Sequence, residues 1–239
     1  MPRYILFLSI LLWGALPAGA ETFTFSAREK SLMDKIGAEI LKVAYSRLGH
    51  DIQVRERPGT RALTESNSGH NDGVVMRLEK VMAKNRNLVK VNVPLWEFQV
   101  AVFAVKPIHN IQDWQDINAR SVATYRGYKY VESKLTGPHR DLVSSFDIGM
   151  KMLAKGRFDL LVYGRLDGLE SASRVKPTQL FCQSNIASFD EFHMVHHRHQ
   201  YLVHDLEKQL AAMQQSGELA QIQKRVLNEN IGAYSGLCE

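Results

Sequence analysis

Residues 88–106, LVKVNVPLWEFQVAVFAVK, constrain the fold more than any other stretch of the chain. Leu88, Val89, Val91 and Val93 precede Pro94, Leu95 and Trp96, and Phe98 and a nearly unbroken apolar run over 100–105 follow. Such a run suits a strand buried on both faces. Pro94 has no N–H to give to a ladder, so it predicts a corner or a strand start. The expectation is two strands broken at Pro94, the second crossing from one lobe to another, because comparable α/β sequence lies on either side.

That flanking sequence alternates. Strands are predicted at 22–25 and 52–55, with a helix over 32–48 between them. In that helix Leu32, Ile36, Ile40, Ala44 and Leu48 share one face, Ser31 and Asp34 mark the start and Gly49 the stop. A Pro58-Gly59 turn leads into a short helix over 60–66. Past the crossing, helices are predicted at 111–117, 128–134 and 148–154, with strands at 120–124 and 142–144. After Arg165 the chain passes Pro177 and returns through a strand at 192–196. Two closing helices then carry Leu202, Leu206, Leu210 and Met213, and Leu219, Ile222 and Val226. Alternation at this spacing indicates parallel βαβ construction. One unit occurs in each half: Gly69 with Asp72-Gly73-Val74-Val75-Met76-Arg77-Leu78, and Gly156 with Asp159-Leu160-Leu161-Val162-Tyr163-Gly164-Arg165-Leu166. Each is a glycine-ended helix, a short buried strand opened by aspartate, and an arginine followed by leucine.

The first twenty residues read as an address: Arg3, an apolar core over 4–16, and Pro17-Ala18-Gly19-Ala20 ending in an Ala-x-Ala cleavage pattern. The apolar stretch is shorter than the ~20 residues of a membrane span. A chain cleaved after Ala20 belongs in the periplasm. The formal net charge of +5 is spread along the chain with no basic block, which argues against a nucleic-acid partner. An even pair of cysteines, Cys182 and Cys238, in an oxidising compartment favours a disulfide. The run 192–204 holds His193, His196, His197, His199 and His204. Without a cysteine or paired carboxylate beside them, they are expected to form a solvated face rather than a metal site. No cofactor is implied.

In this order the features resemble the bacterial extracellular solute-binding proteins of family three, the periplasmic components of amino-acid uptake systems. The likeness is carried by four stretches: 72–77 followed by VPLW; NIQDWQDINARSVATYRG at 110–127; MLAKGRFDLLV at 152–162; and AAMQQSGELAQIQKRV at 211–226. The resemblance implies an α/β, two-lobed periplasmic-binding fold, each lobe a mostly parallel sheet flanked by helices, joined by two crossing strands. Lobe one would be 21–102 plus 190–239 and lobe two 103–189, with signal peptide 1–20 removed. It implies a monomer that closes on a small-molecule solute for a membrane transporter. The alternatives are a sensor subunit reporting ligand occupancy to a membrane partner, or a dehydratase-like enzyme on the same scaffold.

Ligands of open α/β sheets sit beyond the carboxyl ends of the strands. Arg77, Arg126 and Arg165 all occupy such ends, and Arg77 and Arg165 are expected to clamp an anion from opposite lobes. The Tyr125-Arg126-Gly127 turn opens a helix whose free N–H groups favour negative charge. Trp96 either stacks on ligand or seals the corner. Tyr163 and Arg61 complete the candidate set. Residues 78–86, LEKVMAKNR, lack the family's Thr-Pro-Glu-Arg stretch. Tyr163-Gly164-Arg165 stands where its amine-binding aspartate closes the second-lobe strand, with Asp167 two residues on. These departures point to a small anionic solute, an acidic amino acid or dicarboxylate. Glu29, His139 and Asp167 are the candidate acids and bases for the enzymatic alternative.

Overall fold

The computed structural model describes residues 21–109, 111–126, 128–234 and 236–238; the predicted signal peptide lies outside them. Eight strands form one mixed sheet in the order β2-β1-β3-β8-β4-β7-β5-β6. The first trio is β1 (Thr22–Arg28), β2 (Asp51–Arg57) and β3 (Gly73–Leu78); the second is β5 (Val122–Tyr125), β6 (Arg140–Val143) and β7 (Leu160–Gly164). Within each trio the pairing is parallel, as the alternation predicts. Between the trios run two long antiparallel strands, β4 (Leu88–Ala104) and β8 (Phe181–His196), paired from Leu88 with His196 to Ala104 with Phe181. Strand β3 joins β8 near its carboxyl end, and β7 joins β4 near its carboxyl end. The two trios therefore meet only through this central ribbon.

Helices pack on both parts. Helix α1 (Leu32–Arg47) starts as read, with the Ser31 hydroxyl accepting from the Asp34 N–H at 3.2 Å. It ends at Gly49, whose φ of 81° is the left-handed conformation a helix stop requires. Its apolar face covers Phe23 and Phe25 of β1, with the Tyr45 ring tilted against Phe25 at 5.3 Å between centroids. Helix α2 (Gly59–Asn67) follows β2, and α7 (Val203–Gln215) and α8 (Glu218–Ile231) close the chain against the first part. The second part carries α3 (Trp114–Asn118), α4 (Lys129–Lys134), α5 (Phe146–Ala154) and α6 (Arg165–Val175). Among the described residues no helix is long and apolar enough to cross a membrane.

Three expectations need correction. Pro94 does not break the chain into two strands: β4 is continuous, and the missing N–H is absorbed where the β4–β8 register slips on either side of Pro94. Helix α6 and the first eleven residues of β8 were not foreseen in the sequence. Helix α6 carries a glycine and few apolar residues, and the early part of β8, Gln183 to Ser188, is mostly small or polar and takes its shape from β4. Finally, the histidines are not a solvated face. His193, His196 and His199 are buried, while His197 and His204 are exposed. His193 Nδ1 lies 2.8 Å from the Val74 carbonyl, so that nitrogen donates and Nε2 accepts from the Tyr45 hydroxyl at 3.0 Å. Burial pushes its pKa down to about 4, and it stays neutral. Among the described residues no group of histidine, cysteine and carboxylate converges as a metal site.

Cys182 on β8 and Cys238 are disulfide-bonded, with Cα atoms 5.0 Å apart, tying the C-terminus to the ribbon. The paired sequence units also have a structural counterpart. Gly69 and Gly156 both take positive φ, and Asp72 and Asp159 each accept a backbone N–H at the start of the neighbouring strand, from Thr24 at 2.7 Å and Ser121 at 3.3 Å.

Candidate functional site

A cavity of about 670 Å³ opens between the two parts, at the carboxyl ends of their parallel strands. Glu29 and Ser31 from the β1–α1 loop and Glu56 at the end of β2 form one wall. Tyr125 at the end of β5, Phe146 at the start of α5 and Asp167 in the first turn of α6 form the other. This is where physics places ligands in open α/β sheets, because the strand-to-helix loops and helix N-termini converge there.

Beside it lies a charged cluster that the sequence reading did not find. Arg28, the last residue of β1, donates along one edge of its guanidinium to Asp34, from Nε to Oδ2 at 3.1 Å and from Nη2 to Oδ1 at 3.0 Å. Along the other edge it donates to Glu191 of β8, from Nη1 to Oε1 at 3.1 Å and from Nη2 to Oε2 at 2.8 Å. Asp34 also receives Arg77 Nη1 at 3.1 Å. Asp34 and Glu191 are each 1% exposed. Burial opposes the charge on Asp34, but Arg28 and Arg77 outweigh it and hold the carboxyl below its ordinary value. Burial likewise works against Arg28, and Asp34 and Glu191 overcome it to raise its pKa. The sequence offered Asp34 only as part of the helix start after Ser31, which it is; its side chain in addition anchors two arginines.

Asp167 faces this cluster from the other part. Its Oδ2 accepts from the Tyr128 hydroxyl at 3.1 Å. Burial raises its pKa to about 6, partly offset by the positive charge of Arg28 and the Tyr128 hydrogen bond. Gly164, the last residue of β7, keeps this place open: a Cβ there would collide with the Tyr128 hydroxyl, the Asp167 carboxylate and the Phe98 ring.

The residues expected from the sequence divide. Tyr125 reaches the cavity, its ring 4.7 Å from Phe146. Arg77 lies beneath the site, 4% exposed and engaged by Asp34; its Nη2 has no hydrogen-bond partner among the described residues. Burial lowers its pKa despite Asp34. Arg165 opens α6, half-buried, at the mouth of the second part. Arg126 follows β5, its backbone N–H donating to Val143 and its side chain exposed. Trp96 lies half-buried on β4 against the main core, opposite Glu191. Tyr163 is buried inside the second part, its hydroxyl 3.5 Å from the Ser145 and Phe146 carbonyls. Arg61 stands on the exposed face of α2, paired with Glu65 at 2.5 Å. Glu29 and Asp167 share the cavity, while His139 sits at the opposite end of the second trio, just before β6.

Comparison with known proteins agrees with this architecture. No family model and no curated protein matches the chain. Solved structures do. A histidine kinase sensor domain with similarity to periplasmic binding proteins aligns over 92% of this chain and 97% of its own, at TM-score 0.66 and 17% identity. A probable amino-acid ABC transporter extracellular-binding protein of Bacillus subtilis aligns over 89% and 99%, at TM-score 0.69 and 16% identity. A periplasmic BvgS domain of Bordetella pertussis aligns over 85% and 92%, at TM-score 0.65 and 16% identity. The chain has the fold of the periplasmic binding proteins. Both uptake proteins and sensor domains are built on it.

Proposed function

We propose that this chain is an exported solute-binding protein that closes on a small amino-acid-like solute and reports or delivers it to a membrane partner. The observation carrying this reading is the cavity between the two parts with Asp167 on its wall. The two parts act as lobes, 21–102 with 190–239 against 103–189, hinged on the central ribbon where the chain crosses through β4 and β8.

The charges around the crevice refine the solute. Asp34 and Glu191 are matched by Arg28 and Arg77 beside the cavity, whose own wall carries Glu29, Glu56, Asp147, Asp167 and Glu170 against Lys30, Lys35 and Arg174. A doubly negative solute gains little there, whereas Asp167 lacks a full cationic partner and accepts an ammonium group. The exposed Arg126, next to Tyr125 at the end of β5, suits the solute's carboxylate. A zwitterionic amino acid therefore fits better than a dicarboxylate. The grip by arginines from both lobes that the sequence suggested becomes one arginine and one carboxylate.

Solute at a hundred times its dissociation constant stabilises the protein by about 2.7 kcal/mol. At roughly 2–4 °C per kcal/mol for a chain of this size, that is a readable melting shift. Thermal screening of amino acids, amines and dicarboxylates tests the reading. Amino acids raising the midpoint, and losing that effect in Asp167→Asn, is the expected result. A shift from dicarboxylates alone, or from no solute of any class, overturns it.

A further inference from the structure

The disulfide gives the chain a third connection between its lobes. Cys182, near the start of β8, lies opposite Phe103 of β4, which is itself paired with Leu161 of β7. It therefore stands inside the sheet of the second lobe. Cys238 ends a tail that starts in the first lobe, where α8 finishes at the buried Ile231 and the chain leaves it at Gly232. The 3-10 turn Gly232–Tyr234 packs against both α8 of the first lobe and α6 of the second. Tyr234 and Leu237 lie against the main core, and Cys238 is buried in it. The Ser184 hydroxyl of β8 donates to the Cys238 carbonyl at 3.0 Å. A covalent bond, a hydrogen bond and apolar burial thus hold the far end of a first-lobe tail on the second lobe.

The tail leaves the first lobe beside the crevice. Asn230, one residue before the end of α8, lines the cavity together with Glu170 and Arg174 of α6, and its Oδ1 accepts from Lys35 Nζ of α1 at 2.9 Å. Any opening that draws α6 away from α8 therefore pulls on the path from Ile231 to Cys238. That path is not extended: it holds the 3-10 turn, and the Leu237 N–H returns to the Tyr234 carbonyl at 3.2 Å. Lengthening it means undoing these turns and drawing Tyr234 and Leu237 off the core, and a fully extended chain of this length spans at most about 25 Å.

We infer that residues 232–238, locked by the Cys182–Cys238 bond, form a strap that limits how far the two lobes open. This rests on the reading of the two parts as hinged lobes and adds a stop to their motion. Two strands alone leave a hinge free to widen until the lobes meet some other obstacle. Here widening costs apolar burial first and is then halted by a covalent link. The strapped protein spends more of its time near the closed geometry, so a solute pays less to reach the binding-competent state. The strap thereby acts on affinity from outside the crevice, with no atom in contact with the solute.

Small-angle X-ray scattering of the full exported chain without solute tests this. Two variants are compared with wild type: Cys182→Ser with Cys238→Ser, which cuts the strap, and a short Gly-Ser insertion after Tyr234, which slackens it and keeps both cysteines. Both are expected to show a larger radius of gyration with unchanged far-UV circular dichroism. The insertion separates a strap from a stabilising cross-link, because the chain-entropy effect of a disulfide changes only logarithmically with loop length. It also keeps the test meaningful should the serine variant fail to fold, with absence of free thiols on denaturation showing that its bond has formed. An insertion variant with the wild-type radius overturns the strap, whatever the serine variant does. No arm contains solute, so these outcomes are independent of whether amino acids bind. Failure of the solute screen in a protein whose insertion variant expands would reject the proposed solute class and leave the strap standing.

Discussion

Replacing Asp167 by asparagine removes one charge from the crevice wall and keeps an acceptor for the Tyr128 hydroxyl. The consequence follows from the carboxyl's raised pKa. A group held at about 6 in the fold and at 3.8 when free is harder to ionise in the folded protein. Above about pH 6 the folded state carries an ionised, poorly solvated carboxylate, and the cost approaches about 3 kcal/mol at 1.36 kcal/mol per tenfold change. The carboxylate borders a water-accessible cavity, and screening there reduces the figure to about 1–2 kcal/mol. As pH falls from about 6 toward 4 the folded state takes up its proton first and this cost disappears. Asp167→Asn should therefore melt roughly 2–8 °C above wild type near neutral pH, and the advantage should vanish by about pH 4. His193 acts in the opposite sense over a similar range. Its pKa is pushed down to about 4 in the fold, so both proteins lose stability as pH falls from 6.5, where the unfolded chain binds the proton first. In wild type the gain at Asp167 offsets that loss; in the variant nothing does. Thermal unfolding of both proteins across this range at constant ionic strength is the assay. Parallel curves, or an asparagine variant less stable at neutral pH, would show that Asp167 is not the desolvated carboxyl described here.

The remaining expectations are briefer. Affinity for an amino-bearing solute should fall as pH drops below about 6, by up to tenfold per unit, as Asp167 takes its proton; titration calorimetry across that range showing constant affinity would contradict the assigned ammonium contact. Asp34→Ala leaves Arg28 short of one partner and Arg77 buried without its carboxylate, and chemical denaturation should show a loss of about 3–5 kcal/mol, whereas a loss under about 1 kcal/mol would mean the cluster is solvated. Gly164→Ala puts a methyl group into the Tyr128–Asp167 contact, so solute binding should weaken far more than the about 1–3 kcal/mol of overpacking lowers stability; unchanged affinity counts against the site. Reducing Cys182–Cys238, which are 56 residues apart in sequence, should cost about 4 kcal/mol in the chain-entropy account, and equal denaturation midpoints for oxidised and reduced protein would refute that.

Much of the scaffold was legible in the sequence because it depends on local, periodic signals. The apolar face of α1, the aspartate-opened strands and the run 100–105 each announce burial through spacing alone, and their order gives two parallel trios around a crossing strand. The even cysteine pair was enough to expect the disulfide. Pairing decided what lacked such a signal. The early part of β8 is a strand because β4 lies beside it, α6 is a helix because Gly168 lets it pack against Phe103, and Pro94 stays within β4 because the register slips around it. The candidate site was legible only in its location. Arginine at the end of a strand marks the crevice, but nothing in one dimension tells whether that arginine meets ligand or a carboxylate of its own chain. Asp34 and Glu191 lie 43 and 163 residues from the arginines they hold, Arg77 and Arg28. Electrostatic partnership falls off with distance in space and is indifferent to distance along the chain, so only the folded structure could show that Asp34 engages both Arg28 and Arg77, that Glu191 holds the other edge of Arg28, and that Asp167 lies on the cavity wall.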